Sequence, residues 1–155
     1  MVTIGSTAPD FTAKTSNGTE ITLSSLRGKP IVLYFYPKAF TPGCTLESKR
    51  FRDVYPQVKE LGAEIVGVSH DALEDQCRFS ESIDLPFMLV PDPERKIIDA
   101  YGVAWPIIKM AKRVTFLIDH DFKIASFSQH ELLISRHAED ALLGLKLLTR
   151  RSKSS

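Results

Sequence analysis

Apolar positions along the chain fall into two patterns: short unbroken runs and longer stretches with helical spacing. The run IVLYFY at residues 31–36 is continuous, which predicts a strand covered on both faces. After Thr41, Pro42 and Gly43, the residues Phe51, Val54, Tyr55, Val58 and Leu61 recur on one side of a helix, closed at Gly62 and interrupted by Pro56. EIVGVS at 64–69 predicts a second buried strand. Residues 71–83 predict a helix with Asp71 as N-cap and Leu73, Gln76, Cys77, Ser80 and Ile83 on one face. PFMLV at 86–90 reads as a short strand, and residues 92–103 as a short helix ending at Gly102. RVTFLID and KIASFS form a strand pair turning at Asp119, His120 and Asp121. Residues 135–148 predict a last amphipathic helix, its inner face Ala138, Ala141, Leu142, Leu145 and Leu148. The order of elements predicts an α/β domain with a central mixed sheet flanked by helices.

The chain has 155 residues, enough for one domain with a sizeable core. With no repeat or linker, a single domain over residues 1–149 is expected, followed by a solvated basic tail at 150–155. A net charge of +1 gives no reason to expect nucleic acid or an anionic membrane as partner. The first residues lack the basic-then-apolar arrangement of an export signal, and no apolar run approaches a membrane span, so a cytoplasmic setting is expected. There, two cysteines suggest catalysis, redox sensing or burial rather than a permanent bridge. With no C-x-x-C, a dithiol motif of that kind and a four-cysteine zinc site are both excluded.

Cys44 follows Pro42 and Gly43 at the predicted mouth of a helix. A helix N-terminus offers unpaired N–H groups and the positive end of a dipole, both of which favour a thiolate. Cysteines so placed can have pKa values of roughly 3.5–7.5 instead of ~8.5. Thr41 supplies a hydroxyl at the same turn. Glu47, one turn on, brings a negative charge that suits a thiolate only if a cation stands between them. The opposing reading is that Cys44 is a small buried hydrophobe. Of the histidines, His70 follows a strand, His120 lies in a turn, and His130 and His137 flank the last helix; surface roles are expected for all four, and no metal site.

The stretch FYPKAFTPGCTLE resembles the active-site signature of the peroxiredoxins, P-x-x-x-T-x-x-C, matched by Pro37, Thr41 and Cys44. The form TPGCTLE and the following FRD are most similar to the bacterioferritin comigratory protein or peroxiredoxin Q branch. GSTAPDFTA, GVS before Asp71, DLPFMLVPD, AYGVA and RVTFLID occur in that branch's order. The resemblance implies a thioredoxin-like fold and a thiol-dependent peroxidase reducing hydrogen peroxide and organic hydroperoxides. Cys44 would be the peroxidatic cysteine, Thr41 a hydroxyl contacting the peroxide, and Pro37 a shield. Arg113 would be the active-site arginine and Glu47 the acid that orients it. No metal or organic cofactor is implied, since sulfur carries the electrons. The reductant would be thioredoxin, glutaredoxin or a small thiol, acting on a monomer or homodimer.

Two features depart from the pattern. Where many members of the branch carry a resolving cysteine five residues after the first, this chain has Lys49; where another subgroup carries one after a phenylalanine, it has Ser80 after Phe79. Cys77 lies one turn before Ser80. Two readings stand: Cys77 forms a disulfide with Cys44, or it is an inert buried residue and the enzyme works with one cysteine. AWPIIKMAK before Arg113 is also unusual; Trp105, Ile107, Ile108 and Met110 fit core or loop packing, a lid or a dimer patch. Other functions to weigh are a redox sensor switched at Cys44, a thiol–disulfide oxidoreductase and a holdase.

Overall fold

The apolar run at residues 31–36 forms the middle of a five-stranded sheet. The computed structural model describes residues 1–108, 110–130 and 133–154, with the backbone alone for 151–154. In chain order the strands are β1 (Thr12–Lys14), β2 (Glu20–Thr22), β3 (Ile31–Phe35), β4 (Glu64–Ser69), β5 (Met88–Pro91), β6 (Val114–Ile118) and β7 (Ile124–Gln129). The helices are α1 (Pro42–Glu60), α2 (Leu73–Ser82), α3 (Lys96–Tyr101) and α4 (Arg136–Ser154). The main sheet runs β5-β4-β3-β6-β7. β3, β4 and β5 pair in parallel, whereas β6 and β7 are antiparallel to their neighbours.

Because side chains alternate along a strand, β3 feeds two cores. Ile31, Leu33 and Phe35 join Ile97, Ile98 and Tyr101 of α3 and Leu23 of the N-terminal segment. Val32 and Tyr34, with Tyr36 just beyond the strand, join Phe51 and Val58 of α1, Phe79 of α2, and Ala138, Ala141 and Leu145 of α4. α1 continues past Pro56; burial of Phe51 and Val58 on either side offsets the lost hydrogen bond. Gly102 ends α3 in the left-handed conformation, φ 68°, as its position predicts. The turn between β6 and β7 is held by Asp119, whose Oδ1 accepts from the N–H groups of Asp121 and Lys123.

Several sequence expectations change. The β1–β2 hairpin is absent from the sequence reading, because three-residue strands carry too few alternations to register. Ala72, not Asp71, is the N-cap of α2, and the Asp71 carboxylate is used elsewhere. The inward face of α2 is Gln76, Phe79 and Ile83, while Leu73, Cys77 and Ser80 are half-buried. Phe79 decides that phase, since its ring packs against Tyr36 and Phe40. Trp105, Ile107 and Ile108 are 37%, 94% and 57% exposed, so the core reading of that stretch fails. They lie on a loop closed by an Ala104–Ala111 bridge, with Lys112 Nζ over the Trp105 ring; Lys109 is outside the described residues. The backbone at 150–154 continues α4 where the sequence predicts a tail.

Gly67 shows how tightly the second core is packed. A Cβ there would lie 2.7 Å from both Tyr34 Cζ and Leu89 Cδ2. Tyr34 pairs with Gly67 across the β3–β4 ladder, and its ring fills the space that a side chain would take. Gly67→Ala is therefore expected to lower stability by about 1–3 kcal/mol, read as a lower urea midpoint at unchanged slope.

Candidate active site

The chain leaves β3 at Phe35 and reaches α1 through a short loop. Thr41 is the N-cap, extended at φ −74° and ψ 149°, and its backbone carbonyl accepts from the Thr45 N–H. Its hydroxyl makes no capping bond and instead donates to the Lys38 carbonyl at 2.8 Å. Pro42 occupies the first helical turn, where a missing N–H costs nothing. Phe40 is held in the left-handed region at φ 65°, a conformation a non-glycine residue adopts only when its surroundings impose it. Two contacts impose it: the Phe40 ring stands edge-on to Phe79 at 5.3 Å, and the Ala39 N–H donates to Asp71 Oδ2 at 2.8 Å. Asp71 also accepts from the Ser69 hydroxyl at 2.6 Å. The loop is thus tied to the end of β4 and to α2.

Cys44 and Glu47 share one face of α1, and both are fully buried. Arg113 immediately precedes β6. Because Phe35 pairs with Val114, the start of β6 lies beside the end of β3 and brings Arg113 to the mouth of α1. Its Nη1 lies 3.5 Å from Cys44 Sγ and donates to Glu47 Oε1 at 2.9 Å. Gly43 leaves room for this approach: a Cβ would come within 3.2 Å of Arg113 Nη2. Burial works against the guanidinium charge, but the Glu47 carboxylate and the Cys44 sulfur outweigh it and hold Arg113 above its ordinary pKa. The cation stands between sulfur and carboxylate, as the position of Glu47 requires.

Behind Glu47 lies His137, which the sequence reading placed at the surface and the structure buries completely. Its Nδ1 is 2.9 Å from Thr115 Oγ1 and 3.8 Å from Glu47 Oε2, and its Nε2 is 2.8 Å from the His130 carbonyl oxygen. Burial pushes its pKa down to about 4, helped by the nearby His130 and Arg113 charges. The imidazole is therefore neutral at ordinary pH. Ser48, also missed from sequence, is buried beneath the helix and shares a 2.9 Å hydrogen bond with the Tyr34 hydroxyl. A lone serine in a helix gives no sequence signal of that kind.

Of the residues singled out from sequence, Cys44, Glu47 and Arg113 come together, with half-buried Pro37 and Thr41 on the loop leading in. Cys77 is not joined to them. Both cysteines are free, and Cys77 Sγ faces the Ser16 carbonyl at 3.6 Å. Among the described residues, no cluster of His, Cys, Asp or Glu could hold a metal ion, and no helix is long and apolar enough to cross a membrane.

The AhpC/TSA family model matches residues 4–127. The chain belongs to that family. Peroxiredoxin Bcp of Bacillus subtilis is 40% identical over 152 residues, covering 94% of this chain and 96% of that protein. The chloroplastic peroxiredoxin Q of Sedum lineare is 36% identical over 148 residues, covering 95% of this chain and 80% of that protein. The crystal structure of peroxidoxin BcpB from Mycobacterium tuberculosis superposes with a TM-score of 0.88 at 34% identity, covering 96% of this chain and 99% of that one. The fold is the thioredoxin-like fold of peroxiredoxins, and the chain is a thiol-dependent peroxidase of this family.

The buried His137 links stability to pH. Above the ordinary histidine value of 6.5 the imidazole is neutral whether folded or unfolded, and nothing is lost. As pH falls from 6.5 toward about 4, the unfolded chain takes up a proton that the folded one refuses, so stability declines and then levels off. The expected loss is about 3 kcal/mol. Denaturant titrations at pH 7.5 and 4.5 should show it in the native chain and much less of it in His137→Asn.

Proposed function

We propose that Cys44 is the residue that attacks the peroxide, and that hydrogen peroxide and organic hydroperoxides are both substrates. The observation that carries this is the Arg113 guanidinium, shared between Cys44 Sγ at 3.5 Å and Glu47 Oε1 at 2.9 Å. The thiolate attacks one peroxide oxygen; a sulfur–oxygen bond forms, the O–O bond breaks, and the other oxygen leaves as water or alcohol after taking a proton. Sulfur is oxidised to sulfenic acid and the peroxide is reduced. A donor thiol then displaces hydroxide from that sulfur, giving a mixed disulfide and water, and a second thiol releases Cys44.

Magnitudes show what the site must supply. A thiol of pKa ~8.5 is a few per cent ionised at pH 7, so full deprotonation gains about 30-fold, or about 2 kcal/mol. Enzymes commonly exceed 10⁶-fold. The larger share is assigned to donors already aimed at the charge that develops as the O–O bond breaks. Arg113 and the N–H groups of Gly43 and Cys44 take that role. The Thr41 hydroxyl spends its hydrogen on Lys38, which leaves its oxygen to accept from a protonated peroxide oxygen. Pro37 and Phe40 screen the recess from water, and Glu47 orients Arg113.

The donor thiol is assigned to a thioredoxin-like protein, glutaredoxin or a small thiol, meeting the protein as monomer or homodimer in a cytoplasmic setting. An external thiol fits the placement of Cys77, whose helix is anchored by Gln76 Nε2 to the Val90 carbonyl at 2.9 Å and to Ser69 Oγ at 3.0 Å. Those bonds fasten α2 to β4 and β5. The second reading, an intramolecular disulfide, is favoured by the partial exposure of Cys77.

Peroxide consumption with thiol donors is expected to be abolished in Cys44→Ser and retained in Cys77→Ser. After one equivalent of peroxide, mass spectrometry should find a sulfenic adduct; a loss of two hydrogens with Cys77 cross-linked would establish the disulfide instead. Arg113→Ala should lose at least 100-fold in stopped-flow peroxide oxidation, well beyond any change in a parallel thiolate titration. Equal losses in the two measurements would refute the role given to the guanidinium.

A further inference from the structure

His137 is a titratable group at the site that the peroxide chemistry leaves unused. Its surroundings fix its tautomer. The His130 carbonyl can only accept, so Nε2 carries the hydrogen and donates at 2.8 Å. Nδ1 therefore presents a lone pair, and the Thr115 hydroxyl donates to it at 2.9 Å. The same Nδ1 lies 3.8 Å from Glu47 Oε2, too far for a hydrogen bond. Thus a buried imidazole stands against the carboxylate with a lone pair on that side and no proton to offer.

The other groups around it divide: Asp140 and the bond to the His130 carbonyl favour a proton on the ring, whereas burial, Arg113 and His130 outweigh them. Arg113, just before β6, supplies a positive charge that opposes a second one on the ring. The His130 ring stands edge-on at 5.5 Å. Asp140, one turn along α4, is engaged with Ser128 Oγ at 2.9 Å and His130 Nε2 at 3.3 Å, so its carboxylate does not draw a proton onto His137 by direct contact.

We propose that His137 is a positioning residue for the Cys44 reaction: a neutral imidazole, locked as the Nε2–H tautomer, that occupies the Thr115 hydroxyl and packs α4 against Glu47, so that the carboxylate holds Arg113 on the sulfur. It acts through Glu47 and touches neither sulfur nor peroxide. Without an acceptor at the Nδ1 position, the Thr115 hydroxyl loses its partner and competes with the guanidinium for Glu47. The proposal rests on the reading that Arg113 polarises the peroxide at Cys44.

Three variants separate the parts. His137→Asn keeps an acceptor near the Nδ1 position; His137→Gln keeps a donor for the His130 carbonyl but loses that acceptor; His137→Phe keeps the ring alone. For each, Cys44 oxidation by hydrogen peroxide is followed by stopped flow, alkylation by iodoacetamide is measured in parallel, and both are repeated with Glu47→Gln. Peroxide oxidation is expected to fall at least 10-fold in His137→Phe and His137→Gln and to recover to within about 3-fold of the native rate in His137→Asn. Alkylation should change by less than about 3-fold, and the peroxide effect should vanish beside Glu47→Gln, as it must if the two residues act as one unit. Native-like rates in His137→Gln, equal losses in alkylation and peroxide oxidation, or the same fractional loss in both backgrounds would overturn the proposal. The Gln and Asn pair decides it even if His137→Phe does not fold. A native chain that fails to react with peroxide at all would sink the underlying reading as well, which sets that failure apart from native reactivity with indifferent variants.

Discussion

The buried ion pair between Arg113 and Glu47 is the constraint on which the site depends. A carboxylate with no solvent exposure is costly unless a cation and hydrogen bonds compensate it, and here the compensating cation is also the group that meets Cys44. Such pairs contribute little net stability compared with a well-packed apolar core. Their value is in geometry: each charge has one low-energy place to be. The 2.9 Å contact with Glu47 keeps the Arg113 guanidinium beside the Cys44 sulfur.

The fold meets that constraint by sheet register. α1 supplies Cys44 and Glu47 on one face, and the antiparallel pairing of β3 with β6 brings Arg113 across. Gly43 removes the side chain that would keep the guanidinium off the helix end. α4 closes the rear, placing His137 where Thr115 of β6 and the carboxylate of α1 converge. Three elements distant in sequence therefore define a volume of a few ångströms, and the strands between them set it rigidly.

The loop before α1 is governed separately. Asp71, Ser69 and Gln76 form a buried network joining β4, α2 and the Ala39 N–H, and the Phe40 ring rests on Phe79. The positive φ of Phe40 is strain held in place by those contacts. The same helix carries Cys77, so one set of contacts holds both that thiol and the loop in front of Cys44.

Local chemistry explains what could be read from the sequence alone. Strands β3, β4 and β6 announce themselves as unbroken apolar runs, the start of α1 as Pro and Gly ahead of a helical period, and the cysteine as a thiol at a helix mouth. Cys44, Thr41, Glu47 and Arg113 are legible because the signature and its flanking segments place residue types whose chemistry is specific. Helix phase depends on packing: in α2, Phe79 overrides a spacing that puts Cys77 and Ser80 inward, because ring packing outweighs the spacing of smaller side chains. Acids commonly cap helices, so position alone makes Asp71 a cap, yet its carboxylate satisfies the Ala39 N–H across the fold. His137 could not be found from sequence, since whether a histidine is solvated or buried depends on what the sheet and helices bring around it. Residue order determines which groups are present and which elements they start; only the packing of those elements decides which charges lose their water, and that loss of solvent is what pairs Glu47 with Arg113 and keeps His137 neutral.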